Sequence, residues 1–109
     1  HVIAFNAGPL GLRPHELSDV ARRYAALARA MGLQASNERN LVLALSGWVE
    51  RLRRDLAMPA TVTAAGVGRA EFLAAVPALA VTALTDFCTS GNPVDVSEAD
   101  LTGILRAVV

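Results

Sequence analysis

The sequence has one cysteine, no lysine and few aromatic residues, and each scarcity excludes a class of chemistry. With Cys88 alone, the 109-residue chain can form no intrachain disulfide and no zinc site built from cysteines. All ten cationic residues are arginines, so the chain has neither a Schiff-base lysine nor the lysine of a phosphate-binding loop. Ten acidic residues balance the arginines, and a formal net charge of zero argues against a strongly basic nucleic-acid-binding protein.

Long hydrophobic runs are also missing. The longest apolar stretch, residues 72–84, contains Pro77 and is shorter than the ~20 residues that a membrane span requires. The first residues lack the basic region and apolar run of a signal peptide. The sequence therefore predicts neither a membrane nor a nucleic acid as partner, and we expect a cytoplasmic location, with which a lone cysteine is compatible.

The composition favours helices. The chain is 53% hydrophobic and rich in alanine, which is the best helix former and is depleted in strands. Short segments whose apolar phase changes indicate an irregular bundle rather than a coiled coil. We predict an all-α fold, an irregular helical bundle of four to five helices that forms a single domain over residues 1–109.

Glycine, proline and capping residues predict the helix boundaries. Pro77 should kink the fourth predicted helix, and residues 88–96 should form a loop. The first three predicted segments are a helix tail at residues 1–6, a helix from Pro14 to about Met31, and a helix that is capped by Ser36 or Asn37 and broken at Met58-Pro59. A short helical turn from Thr61 to Gly66 follows. The last two segments are a helix from about Arg69 to Asp86, capped by Gly68, and a final helix capped by Ser97 with Asp100 three residues on.

Periodicity predicts which side chains are buried. The aromatic residues, Phe87 among them, fall mostly on these stripes and are interpreted as packing residues. The predicted stripes are Leu17, Val20, Ala21, Tyr24, Leu27, Ala28 and Met31 in the second helix, Leu41, Leu45, Trp48, Val49, Leu52 and Leu56 in the third, and Leu101, Ile104, Leu105 and Val108 in the last.

Few residues offer chemistry by themselves. His15 and Asp19 are four residues apart and should share a helix face, but two ligands do not make a metal site, so we interpret His15 as an exposed first-turn residue. Cys88 has no histidine near it in sequence, and a catalytic cysteine needs a base. Gly66 and Gly68 follow no strand and do not continue into a dinucleotide fingerprint.

Three segments carry more specific information. Residues 1–6 read His-Val-Ile-Ala-Phe-Asn, residues 56–61 read Leu-Ala-Met-Pro-Ala-Thr and are followed by Gly66-Val67, and residues 86–93 read Asp-Phe-Cys-Thr-Ser-Gly-Asn-Pro. In order and spacing they resemble the C-terminal part of the iron-dependent (group III) alcohol dehydrogenase family. The corresponding family motifs are a Pro-His-Val-x-x-Phe/Tyr-Asn helix end, a Leu-Gly-Ile-Pro-Thr-Thr stretch and a Cys-Thr-x-x-Asn-Pro loop.

The resemblance implies a longer parent enzyme. An N-terminal α/β portion would bind NAD(P), and a divalent metal, iron or zinc, held by one Asp and three His would polarise a small alcohol or aldehyde substrate. Those ligands lie upstream of the position that His1 matches, and His1 matches a histidine that is not a ligand. We therefore assign no catalytic, cofactor-binding or metal-binding residue to this chain, and expect it to bind no cofactor by itself.

Only Cys88 carries over from the family, as a residue that lines the substrate pocket. The Cys88-Thr89 pair favours the alcohol dehydrogenases over the related maleylacetate reductases, whereas Val94-Asp95 stands where the family usually has Arg-Pro. The expected partners are the N-terminal nucleotide-binding portion of the same enzyme and, in a homo-oligomer, further copies.

Three hypotheses follow. The first is a C-terminal portion of such a dehydrogenase, inactive alone and carrying exposed apolar surface where the rest of the enzyme docks. The second is a free-standing helical module that binds a partner protein without catalysis. The third is a small enzyme that uses Cys88 as a nucleophile.

Overall fold

All regular secondary structure in the computed structural model, which describes residues 1–11 and 13–109, is helical. This confirms the all-α prediction. The described residues contain six α-helices where four or five were predicted, because two short helices join the four longer ones. In chain order the elements are α1 (Val2–Ala7), a 3₁₀ turn (Pro14–Glu16), α2 (Asp19–Ala30), α3 (Glu38–Asp55), α4 (Arg69–Thr85), α5 (Phe87–Ser90) and α6 (Glu98–Ala107).

The chain divides into two compact units. One comprises Val2–Leu56, and the other comprises Ala57–Val109 together with His1. In the first unit α2 packs on α3, and α1 contacts both. In the second unit α4 packs on α6 and contacts α5.

The first unit has an alanine-lined core. Ala21, Ala25 and Ala28 of α2 are completely buried, and their short side chains let α2 lie close to α3. Leu41, Val42, Leu45, Leu17 and Ala7 complete the cluster. The predicted stripe of α2 is wrong at its outer edge, because Leu27 and Met31 are exposed while Ala25, outside the stripe, is buried.

The start of α2 differs from the prediction. Pro14 belongs to a separate 3₁₀ turn, and α2 begins only at Asp19 because the Ser18 hydroxyl caps it. The Ser18 oxygen accepts a hydrogen bond from the Ala21 amide at 3.0 Å and donates to the Ala7 carbonyl at 2.9 Å. One hydroxyl therefore both starts α2 and ties it to the end of α1.

The ends of α3 follow the sequence signals. Between the two candidates for its N-cap, the structure selects Asn37, whose side chain accepts from the Asn40 amide at 2.9 Å. The helix ends at Asp55, and Ala57 then adopts a left-handed conformation with φ of 53°. The predicted break before Pro59 is confirmed.

The second unit is built on α4 and α6. Val76 and Ala80 of α4 are fully buried, whereas the predicted stripe of α6 is only half-buried. The Val62 amide donates to the Val108 carbonyl at 2.9 Å, which ties the segment before α4 to the end of α6. Residues 61–66 form a hydrogen-bonded turn rather than a helix, and Gly66 closes it with φ of 96°.

Large apolar side chains remain exposed in both units. The predicted burial of Val49 and Leu52 in α3, and of Leu56 directly after it, is wrong, because each is at least 40% exposed. In α4 the exposed set includes Leu79, Val81 and Leu84. Among the described residues, no helix combines the length and the apolar character needed to cross a membrane.

Candidate functional site

The segment from Asp86 to Val96 holds the one residue to which the sequence assigned a site role. Asp86 ends α4 and caps α5, because its extended backbone stops the first helix and its carboxylate accepts from the Cys88 amide at 2.7 Å. Residues 87–90 therefore form a helical turn, where a loop was predicted. This cap sets the start of the helical turn that carries Cys88 and Thr89.

Side-chain hydrogen bonds hold this segment against the end of α4. The Thr89 hydroxyl donates to the Ala83 carbonyl at 2.6 Å, and the Ser90 hydroxyl donates to the Phe87 carbonyl at 2.7 Å. The Asn92 side-chain amide donates to the Val94 carbonyl at 2.8 Å, and this bond closes a turn around Pro93. The segment is thus held by short contacts within itself and by the bond from Thr89 to the last turn of α4.

A pocket of about 210 Å³ opens beside this segment. Sequence reasoning missed its lining residues, apart from their membership in the Cys-Thr-x-x-Asn-Pro pattern. The signal that would have found them is the run of hydroxyl and amide side chains directly after a helix end, which commonly fold back onto backbone groups. The pocket is lined by Leu84, Thr89, Ser90, Asn92, Val94, Asp95 and Val96.

Cys88 is exposed and directly precedes Thr89 in the chain, but it is not itself among the residues that line this pocket. Its backbone amide is bonded to Asp86, but among the described residues its thiol has no hydrogen-bond partner. A nucleophilic cysteine requires a base within hydrogen-bond reach, so the geometry does not favour the hypothesis of a small thiol enzyme. Phe87, predicted to pack in the core, is 89% exposed beside it.

The histidines are not brought together into a site. His15 lies exposed in the 3₁₀ turn, and Asp19 begins the separate helix α2, so the predicted shared helix face is wrong. The Asp19 carboxylate pairs instead with Arg22 at 2.5 Å. In the described part of the chain, no three histidine, cysteine or acidic side chains are placed to hold a metal ion. These residues do not fit a metal centre.

Titration is perturbed at Asp100 in α6. The Ser97 side chain and then the Ser97 backbone amide donate hydrogen bonds to its carboxylate, and these bonds lower the pKa of Asp100 below its ordinary value. The two residues form a reciprocal capping box, because the Asp100 amide also donates to Ser97 Oγ at 3.2 Å. This confirms the predicted cap and explains the perturbed carboxyl by helix structure rather than catalysis.

Comparison with known proteins covers the whole chain. Residues 1–109 match the model for the C-terminal part of the Fe-containing alcohol dehydrogenase family. In an alignment 100 positions long that covers 85% of this chain, the sequence is 34% identical to the bifunctional aldehyde-alcohol dehydrogenase AdhE of Escherichia coli (strain K12). In an alignment 94 positions long that covers 84% of this chain, it is 34% identical to the 1-propanol dehydrogenase PduQ of Salmonella typhimurium.

A third relative is the NADPH-dependent butanol dehydrogenase of Clostridium saccharobutylicum, with 28% identity over 86 residues, or 79% of this chain. The matched region spans only 11% of AdhE, 23% of PduQ and 22% of the butanol dehydrogenase. All three relatives are alcohol dehydrogenases by name. Because it matches the family model along its full length, this chain belongs to the Fe-containing alcohol dehydrogenase family and corresponds to the C-terminal part of its members.

Proposed function

We propose that this chain acts as the C-terminal portion of an NAD(P)-linked, metal-dependent alcohol dehydrogenase that interconverts small alcohols and aldehydes in the cytoplasm. The observation that carries the proposal is the family match over residues 1–109. The hydrogen-bonded segment from Asp86 to Val96 supports it, because this segment presents a pocket and Cys88 at a position held by short local contacts.

The metal and the nucleotide belong to the rest of such an enzyme in this proposal. The described residues carry no cluster of metal ligands, and the sequence has no glycine-rich strand–turn–helix motif. When bound in the intact enzyme, the nicotinamide cofactor would carry the hydride. The contribution of this chain is a wall of the substrate cleft, with Cys88 shaping the pocket.

The first experiment measures alcohol oxidation by the 109-residue chain alone. The chain is mixed with 1-propanol, NAD⁺ or NADP⁺, and ferrous iron or zinc, and the reduced cofactor is followed at 340 nm. We expect no turnover, because the described residues include no group of side chains placed to hold a metal ion. Turnover would overturn the proposal, since the site would then have to be built from His1, His15, Cys88 and the carboxylates.

The second experiment restores the missing part. The matched C-terminal segment of PduQ is replaced by this chain, and the fusion is compared with PduQ lacking that segment. We expect 1-propanol oxidation by the fusion and none by the truncated protein. A folded fusion without activity would count against the proposal and favour the alternative, a free-standing helical interaction module, whose support is the exposed apolar surface of α3 and α4.

The role of Cys88 is tested in the same fusion. A residue that shapes the pocket should change KM more than kcat when Cys88 is replaced by alanine, whereas loss of a nucleophile lowers kcat by several orders of magnitude. Ser46→Ala, a comparably small change in α3 far along the chain from the pocket segment, is the matched control. A collapse of kcat in Cys88→Ala alone would show covalent catalysis.

A further inference from the structure

The outer face of α4, defined here by Ala74, Ala78, Val81, Thr82 and Thr85, is left uncovered by the described residues. All five residues are exposed, and Val81 is 50% exposed. The opposite side of the same helix carries the buried Val76 and Ala80 and packs on α6. A helix that is apolar all round is normally covered on every side, whereas α4 contacts α6 and the short α5, and both leave this face exposed.

The outer face carries no charge. From Phe72 to Thr85 the helix has fourteen residues without an ionisable side chain, which corresponds to about 21 Å of helix. A charged side chain pressed against this face would lose its water without gaining a partner. The surface that covers it must therefore be apolar too.

The hydroxyl groups on this face already donate hydrogen bonds to backbone carbonyls of α4. The Thr82 hydroxyl donates to the Ala78 carbonyl at 3.0 Å, and the Thr85 hydroxyl donates to the Thr82 carbonyl at 3.0 Å. Both threonines therefore present methyl groups, and the face offers no donor to an unpaired backbone carbonyl. An extended strand or loop laid here would bury unsatisfied carbonyls, whereas a helix satisfies its own. The occupant that fits is an α-helix.

A second copy of α4 fits poorly because of the charges at the two ends of the face. Glu71 stands in the first turn of α4 on the side of the outer face, and Asp86 follows the last turn. Arg69 of the same first turn lies on the opposite side of the helix by its 3.6-residue period, so it does not screen this contact. An antiparallel pair of α4 helices would bring the Glu71 carboxylate of each copy towards Asp86 of the other, at both ends of the contact. Like charges that approach in this way oppose association.

We infer that the outer face of α4 is the docking surface for an apolar helix supplied by the rest of the same enzyme. The source of this helix, the rest of the same enzyme, rests on the proposed function. The apolar and helical character of the occupant is argued from the outer face of α4 alone. The relatives contain the extra chain that the source requires, since the matched region spans 23% of PduQ and 11% of AdhE.

The test measures whether this face becomes covered, by a readout that does not depend on activity. Val81 is changed to cysteine in a Cys88→Ala background, and the rate of maleimide labelling at residue 81 is followed by mass spectrometry. The isolated chain is compared with the PduQ fusion. Arg23→Cys, at an exposed polar position of α2, is the matched control.

We expect labelling at residue 81 to slow at least tenfold in the fusion and labelling at residue 23 to stay unchanged. Equal labelling of residue 81 in both proteins would overturn the inference, even if the fusion oxidises 1-propanol. Labelling that slows with rising concentration of the isolated chain would assign the face to a second copy, which also overturns it. Activity is therefore measured in the fusion that retains Cys88, and protection of residue 81 together with an inactive Cys88 fusion would uphold the docking surface while the proposed function fails.

Discussion

Ala57 shows what one residue's backbone can reveal. It follows the end of α3 with φ of 53°, in the left-handed region that L-residues with a side chain adopt at a cost. The family stretch that residues 56–61 resemble has glycine at this position, and the geometry gives the reason. Glycine has no Cβ to clash in this conformation and is the usual residue after a helix end.

We therefore predict that Ala57→Gly stabilises the chain by about 1 kcal/mol, because it relieves the left-handed strain. Urea denaturation followed by circular dichroism measures the change. Ala44→Gly, in the interior of α3, is the control and should cost about 0.5–1 kcal/mol, since glycine weakens a helix there. A loss of stability in Ala57→Gly would mean that the strain is not present in solution.

Asp100 is the residue whose ionisation should make stability depend on pH. Because the Ser97 hydrogen bonds lower its folded-state pKa below the ordinary value near 3.8, the capping box stabilises the fold above that value. This contribution is lost as the pH falls through the folded-state pKa. We predict that the destabilisation by Ser97→Ala is larger at pH 6 than at pH 2.5, as measured by urea denaturation.

Ser18→Ala serves as the control for the pH series. Ser18 caps α2 through its own hydroxyl, and its two hydrogen bonds go to the neutral backbone groups of Ala7 and Ala21. The loss of unfolding free energy caused by Ser18→Ala should therefore be nearly the same at both pH values. If the cost of Ser97→Ala were also independent of pH, the hydrogen bonds to the Asp100 carboxylate would not be the cause of its perturbation.

At the scale of elements, capping side chains decide where helices begin. Pro14 suits a first helical turn, and the sequence therefore predicted that α2 starts there. The Ser18 hydroxyl gives a better start, because it satisfies the Ala21 amide and the Ala7 carbonyl together. Asp86 acts in the same way at the other end of the chain, where it converts a predicted loop into α5.

Pro77 interrupts the hydrogen bonding of α4 from within. A proline has no amide hydrogen, so the Leu73 carbonyl one turn earlier lacks its helical donor. We predict that Pro77→Ala stabilises the second unit by roughly 1–3 kcal/mol, since alanine restores this bond. Thermal and urea denaturation of the 109-residue chain would measure it.

Pro93→Ala, in the turn after Asn92, provides the comparison and should change stability by much less. The informative contrary result would be a destabilised Pro77→Ala protein. It would mean that the bend expected at Pro77 places Val76 and Ala80 correctly against α6, so that a straight helix loses more packing than the new hydrogen bond returns.

At the scale of the whole molecule, the two units differ in how much they bury. The first unit encloses a cluster of eight buried apolar residues, whereas in the described part of the second unit only Val76 and Ala80 are buried to that degree. Burial of apolar surface is the main source of stability. Taken by itself, the second unit therefore has less to hold it together.

This difference predicts the pattern of amide hydrogen exchange. We expect amides of α2 and α3 to exchange more slowly than those of α4 and α6 in the isolated chain, because local opening costs least where burial is least. Exchange measured by NMR or mass spectrometry would show it. Equal protection in both units would contradict the assignment of stability to the alanine-lined core.

The fold class and several helix boundaries of this protein could be predicted from its sequence, because they depend on residues close together in the chain. The all-α class, the caps at Gly68 and Ser97, the choice of Ser36 or Asn37 as a cap, and the break before Pro59 each depend on residues a few positions apart. Family membership was also readable, since it rests on short motifs in order. Propensity, capping and motif spacing all act over one or two helical turns, so no tertiary information is needed to recognise them.

Only the tertiary structure decided which apolar faces are covered. Leu27 and Leu52 lie on predicted stripes together with buried residues, yet they are exposed because no helix of the described residues covers them. The tertiary structure also decided that the side chains of Thr89 and Asn92, which line a pocket, donate hydrogen bonds to backbone carbonyls. Burial depends on the partner surface as much as on the residue, and a helix carries no record in its own sequence of which neighbour will meet it.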